Sequence, residues 1–331
     1  MTEMHKVLIA ILLIGSIVSC QSPKKEDGVP VVGFVEAFED ATIGQAYQGF
    51  VDALADSGYS EQDGSLTVIH RNAQGDAATL NQIISYFTSE QVDLIGTSPT
   101  LATIAAVQRS NGIPVFQSVT STPALLGLLD ADGQAPENLF GTGENLAYID
   151  TSFALIKEMV TPRGAQLTVG MIYNQSEPQS VEAYERIVKL ADSLNIQLVA
   201  LPLNSSAEAQ LVVRSLLTKN IDAFFANPDN TVFAAFETIL KNCNDKHVPV
   251  FTSESGLVAR GAVAAFGADI YQWGYQSGIQ AAHYLESGST DGLQVEMVNV
   301  RKRVYNPEAA AQFGFTFPDS YERVGAGSDS Y

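Results

Sequence analysis

Residues 222–256 predict one strand–helix–strand unit with the sequence DAFFANPDNTVFAAFETILKNCNDKHVPVFTSESG. The apolar run at 222–225 indicates a short buried strand. Residues 231–242 carry apolar side chains at helical spacing, and Asp229 or Asn230 in the preceding turn is a candidate N-cap. Residues 248–252 predict the next strand of the sheet. A helix between two neighbouring strands favours a parallel sheet, which makes this chain an α/β protein.

A second stretch of the chain repeats this plan. Asp93 lies six residues before Pro99, as Asp222 lies six residues before Pro228. A helix predicted at 100–108 follows the first copy, and both copies end in an apolar residue followed by Pro-Val-Phe. The pattern favours an αβ half that is built twice. The alternative is chance, because α/β proteins often reuse a strand, a turn and a proline in this order.

Alternating strand and helix patterns continue along the whole chain. Its 331 residues suit two domains of ordinary size. We expect one αβ domain at 29–145 plus 262–290 and a second at 146–261 plus 291–331, with a cleft between them that closes about a hinge. Further strands are predicted at 31–35, 66–70, 92–95, 113–116, 167–173, 196–201, 262–266 and 295–300.

The N-terminal residues are predicted to direct export. The apolar run at 7–18 is too short to span a bilayer comfortably and suits the centre of a signal peptide at 1–19. It leads into Ile-Val-Ser-Cys at Cys20, which resembles a bacterial lipobox, and residues 20–28 would then form a lipidated tether. The alternative is a plain signal peptide with an incidental cysteine. With Cys20 lipidated, Cys243 has no disulfide partner, and buried packing is its expected role.

Charge and motif content exclude several classes of function. The formal net charge is −19, so the chain lacks the basic surface that nucleic acid requires. The sequence contains no Walker loop, no HExxH, no GxSxG elbow and no dinucleotide-binding GxGxxG after a strand. The four histidines are scattered, so we expect no metal site and no cofactor. An enzyme is disfavoured because no nucleophile is paired with a base.

Polar and aromatic side chains follow the predicted strands, where parallel sheets bind ligands. Thr97 and Ser98, with the helix that begins after Pro99, suit a carboxylate. Asp229 could accept hydrogen bonds from an ammonium group, and Phe38 and Tyr173 could flank a planar group. For each of them the alternative is a helix cap, a solvated loop or core packing. The remaining candidates are Glu39, Thr120, Asn174, Ser176, Glu177, Asn230 and Glu254.

Two motifs resemble a known family. Residues 173–181 (YNQSEPQSV) resemble the YNPSEPNSV signature of ABC-transporter substrate-binding lipoproteins, and residues 228–232 (PDNTV) resemble its TDNTV element. The resemblance covers nearly the whole mature chain. It implies a type 1 periplasmic-binding-protein fold: two Rossmann-like αβα domains with parallel sheets, joined by three crossovers. The positions that it implies for the cleft are Thr97, Ser98, Tyr173, Asn174, Ser176, Glu177, Asp229 and Glu254.

The chain departs from the family pattern at two loops of the first half. Asp40-Ala41 stands where the family often has His-Pro. Residues 120–123 (TSTP) stand where it often has Thr-Asp-Pro. Both loops lie where the side chain of a ligand could be sorted, so they leave the identity of the ligand open.

The family resemblance implies a monomeric solute-binding lipoprotein of an ABC importer, held at a bacterial membrane and working with a permease and an ATPase. The favoured ligand is an aromatic amino acid, because characterised members bind tryptophan or tyrosine. Glu254 and Asn174 would orient the ligand and assist closure. The alternative is a ligand sensor that presents its closed form to a membrane receptor without transport, and an enzyme on the same fold is a third possibility.

Overall fold

The computed structural model describes residues 28–324, apart from the side chain of Ala268. The predicted signal peptide, Cys20 and all of the predicted tether except its last residue lie outside the described residues. In chain order the strands are β1 (Val31–Glu36), β2 (Thr67–Asn72), β3 (Leu94–Ser98), β4 (Val115–Gln117), β5 (Leu139–Gly143), β6 (Thr168–Tyr173), β7 (Gln197–Pro202), β8 (Ala223–Ala226), β9 (Val250–Thr252), β10 (Ala264–Ala268), β11 (Val295–Met297), β12 (Arg301–Tyr305) and β13 (Glu322–Arg323).

Helices alternate with these strands, as the patterns predict. They are α1 (Gln45–Asp56), α2 (Ala77–Ser89), α3 (Thr100–Arg109), α4 (Ile149–Met159), α5 (Pro178–Leu194), α6 (Ala209–Leu217), α7 (Asn230–Ala234), α8 (Phe236–Asp245), α9 (Ser255–Ala259), α10 (Ile270–Ser287) and α11 (Pro307–Phe313). Residues 231–242 were expected to form one helix, but Ala235 leaves the helical conformation and separates α7 from α8. No helix of the described residues is long and apolar enough to cross a membrane.

Ten of the thirteen described strands form two parallel sheets with the same plan, and β10, β12 and β13 form a small third sheet. The first has the order β11-β5-β4-β3-β1-β2, and the second has the order β7-β6-β8-β9. All neighbours in both sheets run parallel. Central strands such as β1 and β3 are buried along their whole length, because helices cover both faces of a parallel sheet. The predicted fold class, two α/β domains with parallel sheets, is confirmed.

The repeated aspartates have matching roles in the two sheets. The carboxylate of Asp93, just before β3, accepts a hydrogen bond from the backbone N–H of Val31 at 2.7 Å. The carboxylate of Asp222, just before β8, accepts one from the backbone N–H of Thr168 at 2.8 Å. Each aspartate therefore ties the start of one strand to its neighbour in the sheet. The repeated aspartate in the sequence therefore has the same structural role in both halves.

Sheet pairing corrects the predicted domain ranges at two strands. The range 262–290 places β10 with the first domain, but β10 pairs with β12, and the backbone N–H of Val263 donates to the carbonyl oxygen of Val250 in β9. The range 291–331 places β11 with the second domain, but β11 pairs with β5 of the first sheet. The predicted strand at 295–300 is therefore β11 alone, and β12 begins after it in the other half. An alternating strand–helix pattern predicts the elements but does not specify which sheet each strand joins.

Three crossovers connect the halves: between β5 and α4, between β10 and α10, and between β11 and β12. After the second crossover, α10 returns to the first half and packs closely on α1. A Cβ at Gly274 would lie 1.9 Å from the carbonyl oxygen of Ala46, so this approach requires glycine. Ion pairs join the crossovers: Glu144 of the first contacts Arg301 after the third, and Asp269 of the second lies 2.8 Å from Lys302.

Cys243 lies on α8 and is fully buried in the core of the second half, as expected from the sequence. It is a free thiol. Burial raises its pKa to about 12, so the thiol stays protonated and unreactive at neutral pH.

Candidate ligand-binding site

The carboxyl ends of the two sheets meet at the interface between the halves. The hydroxyl of Thr100, at the start of α3, donates to Oε1 of Gln179, at the start of α5, at 3.1 Å. Arg260 of the second half donates to Asp40 of the first half at 2.8 Å. Phe38, which follows β1, is half-buried and packs on a core cluster that includes residues of both halves. The halves therefore contact each other near the strand ends of both sheets.

Several buried polar atoms at these strand ends lack a hydrogen-bond partner among the described residues. Buried polar groups nearly always have partners, so such a cluster indicates a place for a ligand or for ordered water. The atoms lie at or just beyond the carboxyl ends of β3, β4, β8 and β9, in both halves. They are Ser98 Oγ, Gln117 Oε1, Ser121 Oγ, Asn227 Oδ1 and Glu254 Oε2.

In the first half, Ser98 differs from the other predicted hydroxyls. The hydroxyl of Thr97 pairs with Thr103 at 2.9 Å, and that of Thr120 pairs with Thr100 at 2.9 Å. Ser98 is fully buried, and its hydroxyl has no partner in the described part of the chain. The following helix α3 has no side chain that caps its N-terminus. Its first N–H groups and the positive end of its dipole therefore accompany the hydroxyl of Ser98.

Glu39, another predicted residue of the first half, lies on the surface. Its side chain is exposed, and Gln74 donates a hydrogen bond to its Oε2 at 3.4 Å. The adjacent Phe38 is directed into the interface between the halves, as described above. The two adjacent residues therefore differ in exposure. The pattern of apolar and polar residues in the sequence does not show which of them faces the interface.

Asp229 is buried, and its carboxylate is occupied by groups of the protein. Oδ1 accepts the backbone N–H of Val232 at 2.9 Å, which is the N-cap bond of α7. Oδ2 accepts the backbone N–H of Asn174 at 2.6 Å and the hydroxyl of Ser180. Burial raises the pKa of Asp229, while these hydrogen bonds act to lower it. The contacts favour the cap alternative for Asp229 and connect β6, α5 and α7.

Four of the other predicted residues form one cluster with Asp229. The amide nitrogen of Asn174 donates to Oε1 of Glu177 at 3.0 Å, and the backbone N–H of Asn230 donates to Oε2 at 3.1 Å. Ser176 is exposed, and its backbone N–H donates to Oδ1 of Asn174 at 2.8 Å. Burial, with the nearby Asp229, raises the pKa of Glu177 to about 7. The cluster holds the loop after β6 against the start of α7.

Tyr173 stacks on Tyr184 of α5, with ring centroids 4.2 Å apart and planes within 8°. Both rings pack on the core of the second half. This stacking occupies one face of Tyr173 with the protein itself. It favours the packing alternative over a role in flanking a ligand.

Glu254 directly follows β9 and is 2% exposed. The hydroxyl of Tyr148 donates to its Oε1 at 2.7 Å, while Oε2 has no partner among residues 28–324. Burial raises the pKa of Glu254 to about 8, and burial beside Glu254 also raises that of Tyr148. The Glu144–Arg301 pair at the crossovers contributes to the charge around this acid. Glu254 therefore lies both at the candidate site and near the crossovers that connect the halves.

Sequence reasoning missed Asn227, which is fully buried at the end of β8. It had been read as part of a turn. Its signal is its position: Asn227 lies five residues after Asp222, as Ser98 lies five residues after Asp93. Sequence reasoning also missed Gln117, and it placed Ser121 only within the loop at 120–123. The contact between Arg260 and Asp40 joins residues 220 positions apart, so no local pattern could have revealed it.

Two α/β halves with parallel sheets, joined by three crossovers around a cleft with unpartnered polar groups, define a type 1 periplasmic binding protein. Residues 29–326 match the model of the family described as ABC transporter substrate binding protein. The chain belongs to this family, which confirms the resemblance predicted from its motifs.

Individual relatives agree with this assignment. The chain is 29% identical over 277 residues to the tyrosine-binding protein of Clostridioides difficile strain R20291, covering 84% of this chain and 79% of the relative. A Streptococcus pneumonia ABC domain in complex with L-Trp has a TM-score of 0.79 and 22% identity, covering 89% of this chain and 99% of that chain. A ligand-free, open substrate-binding protein with adhesive properties from Clostridium difficile has a TM-score of 0.66 and 26% identity, covering 89% and 100%.

Proposed function

We propose that this protein is the extracytoplasmic solute-binding component of an ABC importer and that it binds an aromatic amino acid between its two halves. The observation that carries the proposal is the set of unpartnered, buried polar atoms at the strand ends of both sheets. A solute in the cleft would supply the missing hydrogen bonds. The tyrosine-binding relative and the tryptophan complex support an aromatic amino acid as the solute.

The first half supplies the side of the cleft that suits a carboxylate. The hydroxyl of Ser98 can donate, and the uncapped start of α3 adds backbone N–H groups with a favourable dipole. These are two independent features of one position. Phe38, half-buried between the cores of the two halves, is the aromatic side chain best placed to contact the planar group of the ligand.

Binding would couple to closure of the halves. The Thr100–Gln179 and Arg260–Asp40 contacts join the halves directly, and the ligand would add bonds to both sheets. The closed form would then be recognised by a permease, with an ATPase driving import. Cys20 would carry the lipid that holds a monomeric protein at the membrane, with residues 20–28 as its tether. No chemical step is needed for this function.

Thermal unfolding against a panel of solutes tests the proposal. The protein without residues 1–20 is suitable, because both sheets and the family match lie within 28–326. L-tryptophan, L-tyrosine and L-phenylalanine are compared with the other amino acids, with nucleosides and with sugars. A true ligand stabilises the native state by about 2.7 kcal/mol at a hundredfold excess over its dissociation constant.

Stabilisation by aromatic amino acids and not by sugars or nucleosides is the expected result. Ser98→Ala should reduce it, because the hydroxyl is removed from the carboxylate side of the cleft. Stabilisation by a different class of solute would overturn the ligand while leaving a binding protein. Lysine and glutamate serve as amino-acid controls that share the backbone groups and lack the aromatic ring.

A further inference from the structure

Asn227 presents a buried acceptor whose orientation is fixed. Its amide nitrogen donates to the carbonyl oxygen of Ser180 at 3.3 Å and to the hydroxyl of Ser180 at 3.2 Å. A carbonyl oxygen can only accept, so the amide nitrogen must face Ser180 and Oδ1 must face away from it. Oδ1 is buried and has no partner among the described residues. Asn227 therefore offers an acceptor, and not a donor, to the cleft.

Glu254 presents a second unpartnered oxygen on the neighbouring strand end. β8 and β9 are paired in parallel, with Ala226 opposite Thr252, so Asn227 lies one residue and Glu254 two residues beyond the same edge of the sheet. Tyr148 occupies Oε1 of Glu254, which leaves Oε2 to the cleft. The two unpartnered oxygens are not hydrogen-bonded to each other. A group lying between them could bond to both.

Charge decides which group fits. The nearby cation Arg301 is paired with Glu144, and the carboxylate of Asp229, elsewhere in the second half, has both oxygens occupied. Within the described residues, Glu254 thus faces the cleft without a cation of its own. The carbonyl oxygen of Asn227 cannot donate to a carboxylate or phosphate, and the ionised form of Glu254 would repel either of them. An ammonium group supplies several N–H donors and the opposite charge at once.

We propose that Asn227 Oδ1 and Glu254 Oε2 together bind the α-ammonium group of the ligand, while the first half binds its carboxylate. This inference rests on the proposed function and extends it, because it assigns amine recognition to these two residues and not to Asp229. It divides the ligand between the halves, with donors on one side and acceptors on the other. Closure of the cleft then bonds both ends of one zwitterion.

Binding of an ammonium group at this site would also release a proton from Glu254. Burial raises the pKa of Glu254 to about 8, so at pH 7 the empty site holds mostly the neutral acid. An arriving ammonium stabilises the ionised form and displaces the proton into solvent. The groups that face this acid are Tyr148, Ser253, Glu144 and Arg301. Of these, Glu144 and Arg301 form an ion pair with each other.

Pairs of ligands that differ only in the amino group measure how much that group contributes to binding. Dissociation constants are determined by calorimetry for L-tryptophan and 3-(indol-3-yl)propanoate, and for L-tyrosine and 3-(4-hydroxyphenyl)propanoate, which differ only in the amino group. The wild-type protein should prefer the amino acid by about 30-fold or more, as for a buried charge pair. Glu254→Gln keeps the bond from Tyr148 and should reduce this preference to a few-fold. Asn227→Leu should also reduce it.

Calorimetry in buffers of different ionisation enthalpy gives a second readout. The wild-type protein should release close to one proton per amino acid bound at pH 7, and Glu254→Gln should release none. Glu182→Gln, on the exposed face of α5, is the control and should retain both the preference and the release. Thermal unfolding without ligand verifies that each variant is folded.

The outcomes separate the inference from the proposed function. An amino-acid preference that persists in both Glu254→Gln and Asn227→Leu would overturn the inference and leave the binding function standing. Absence of binding by every L-amino acid would overturn the aromatic amino-acid function and the inference with it. Loss of the preference together with loss of proton release would establish the inference.

Discussion

The two halves of this protein share one plan but differ where they meet the cleft. Ser98-Pro99 follows β3, and Asn227-Pro228 follows β8, at equivalent positions of the repeat. Both Ser98 and Asn227 are fully buried, and each carries a polar atom without a partner among the described residues. The repeat therefore places one such buried polar atom at the equivalent position of each sheet.

The difference lies in the helix that follows each proline. In the first half, α3 begins without a side-chain cap, so its N–H groups and the hydroxyl of Ser98 are donors. In the second half, Asp229 caps α7, and the unpartnered atoms there are the oxygens of Asn227 and Glu254. Ser98 and α3 thus offer donors in the first half, where Gln117 Oε1 is also an acceptor that has no partner in the described part of the chain, and Asn227 and Glu254 offer acceptors in the second half. Under the proposed function, these are the two ends of a site for a zwitterion.

The largest expected effect comes from removing the cap that distinguishes the second half. Asp229→Ala should lower the free energy of unfolding by roughly 3–5 kcal/mol, because it leaves buried donors on Val232, Asn174 and Ser180 without an acceptor. Denaturant unfolding of the ligand-free protein measures this. In Thr100→Ala, at the equivalent position of the first half, the loss should be about 1 kcal/mol.

The same pair of variants tests whether Asp229 contacts the ligand. If Asp229 is only the N-cap of α7, it stabilises the fold and does not contact the ammonium group of the ligand. The preference of Asp229→Ala for an amino acid over its des-amino analogue should therefore equal that of the wild-type protein. A preference lost in Asp229→Ala and kept in Glu254→Gln would reverse the assignment and make Asp229 the ammonium ligand.

A second difference between the halves should appear in the pH dependence of stability. The acids whose pKa burial raises to about 7 and about 8, Glu177 and Glu254, both lie in the second half. Their folded-state pKa values exceed the ordinary value, so the folded protein binds more protons than the unfolded chain between about pH 4.5 and 8. Their stabilising contribution is complete below that range and is lost as pH rises through it.

Ligand-free unfolding measured from pH 5 to pH 8 tests this sign. The contribution of each acid should fall by about 1.4 kcal/mol per pH unit while only the unfolded form is ionised. Glu254→Gln should remove one such contribution and flatten the decline between pH 5 and 7. A decline that is equally steep in this variant would show that Glu254 is ionised in the empty protein.

Local sequence patterns predicted the elements well because the physical signals are local. Buried parallel strands appear as short apolar runs, and the periods of the helices are visible between them. The assignment of strands to sheets was wrong for β10 and β11, because it depends on pairings with β12 and β5 that leave no local mark. The domain ranges failed at the same two places.

The candidate site was only partly predictable for a related reason. Ser98 was proposed because it follows a predicted strand and precedes a helix. Asn227 satisfies the same rule in the second copy, and applying the repeat to it would have identified it. The role of Asp229 could not be decided, because its partners Asn174 and Ser180 lie 55 and 49 residues away in the sequence.

The smallest expected effect concerns two buried hydroxyls of the first half. Ser98→Ala removes a hydroxyl that bonds to no described residue, so stability should change by less than about 0.5 kcal/mol, while affinity for an amino acid should fall by about 1 kcal/mol. Thr103→Val removes a hydroxyl that pairs with Thr97, so it should cost about 1 kcal/mol of stability and leave affinity unchanged. Denaturant unfolding and calorimetry on both variants measure the contrast. If Ser98→Ala instead loses stability and keeps affinity, its hydroxyl bonds to ordered water in the core, and the donor side of the site lies elsewhere on α3.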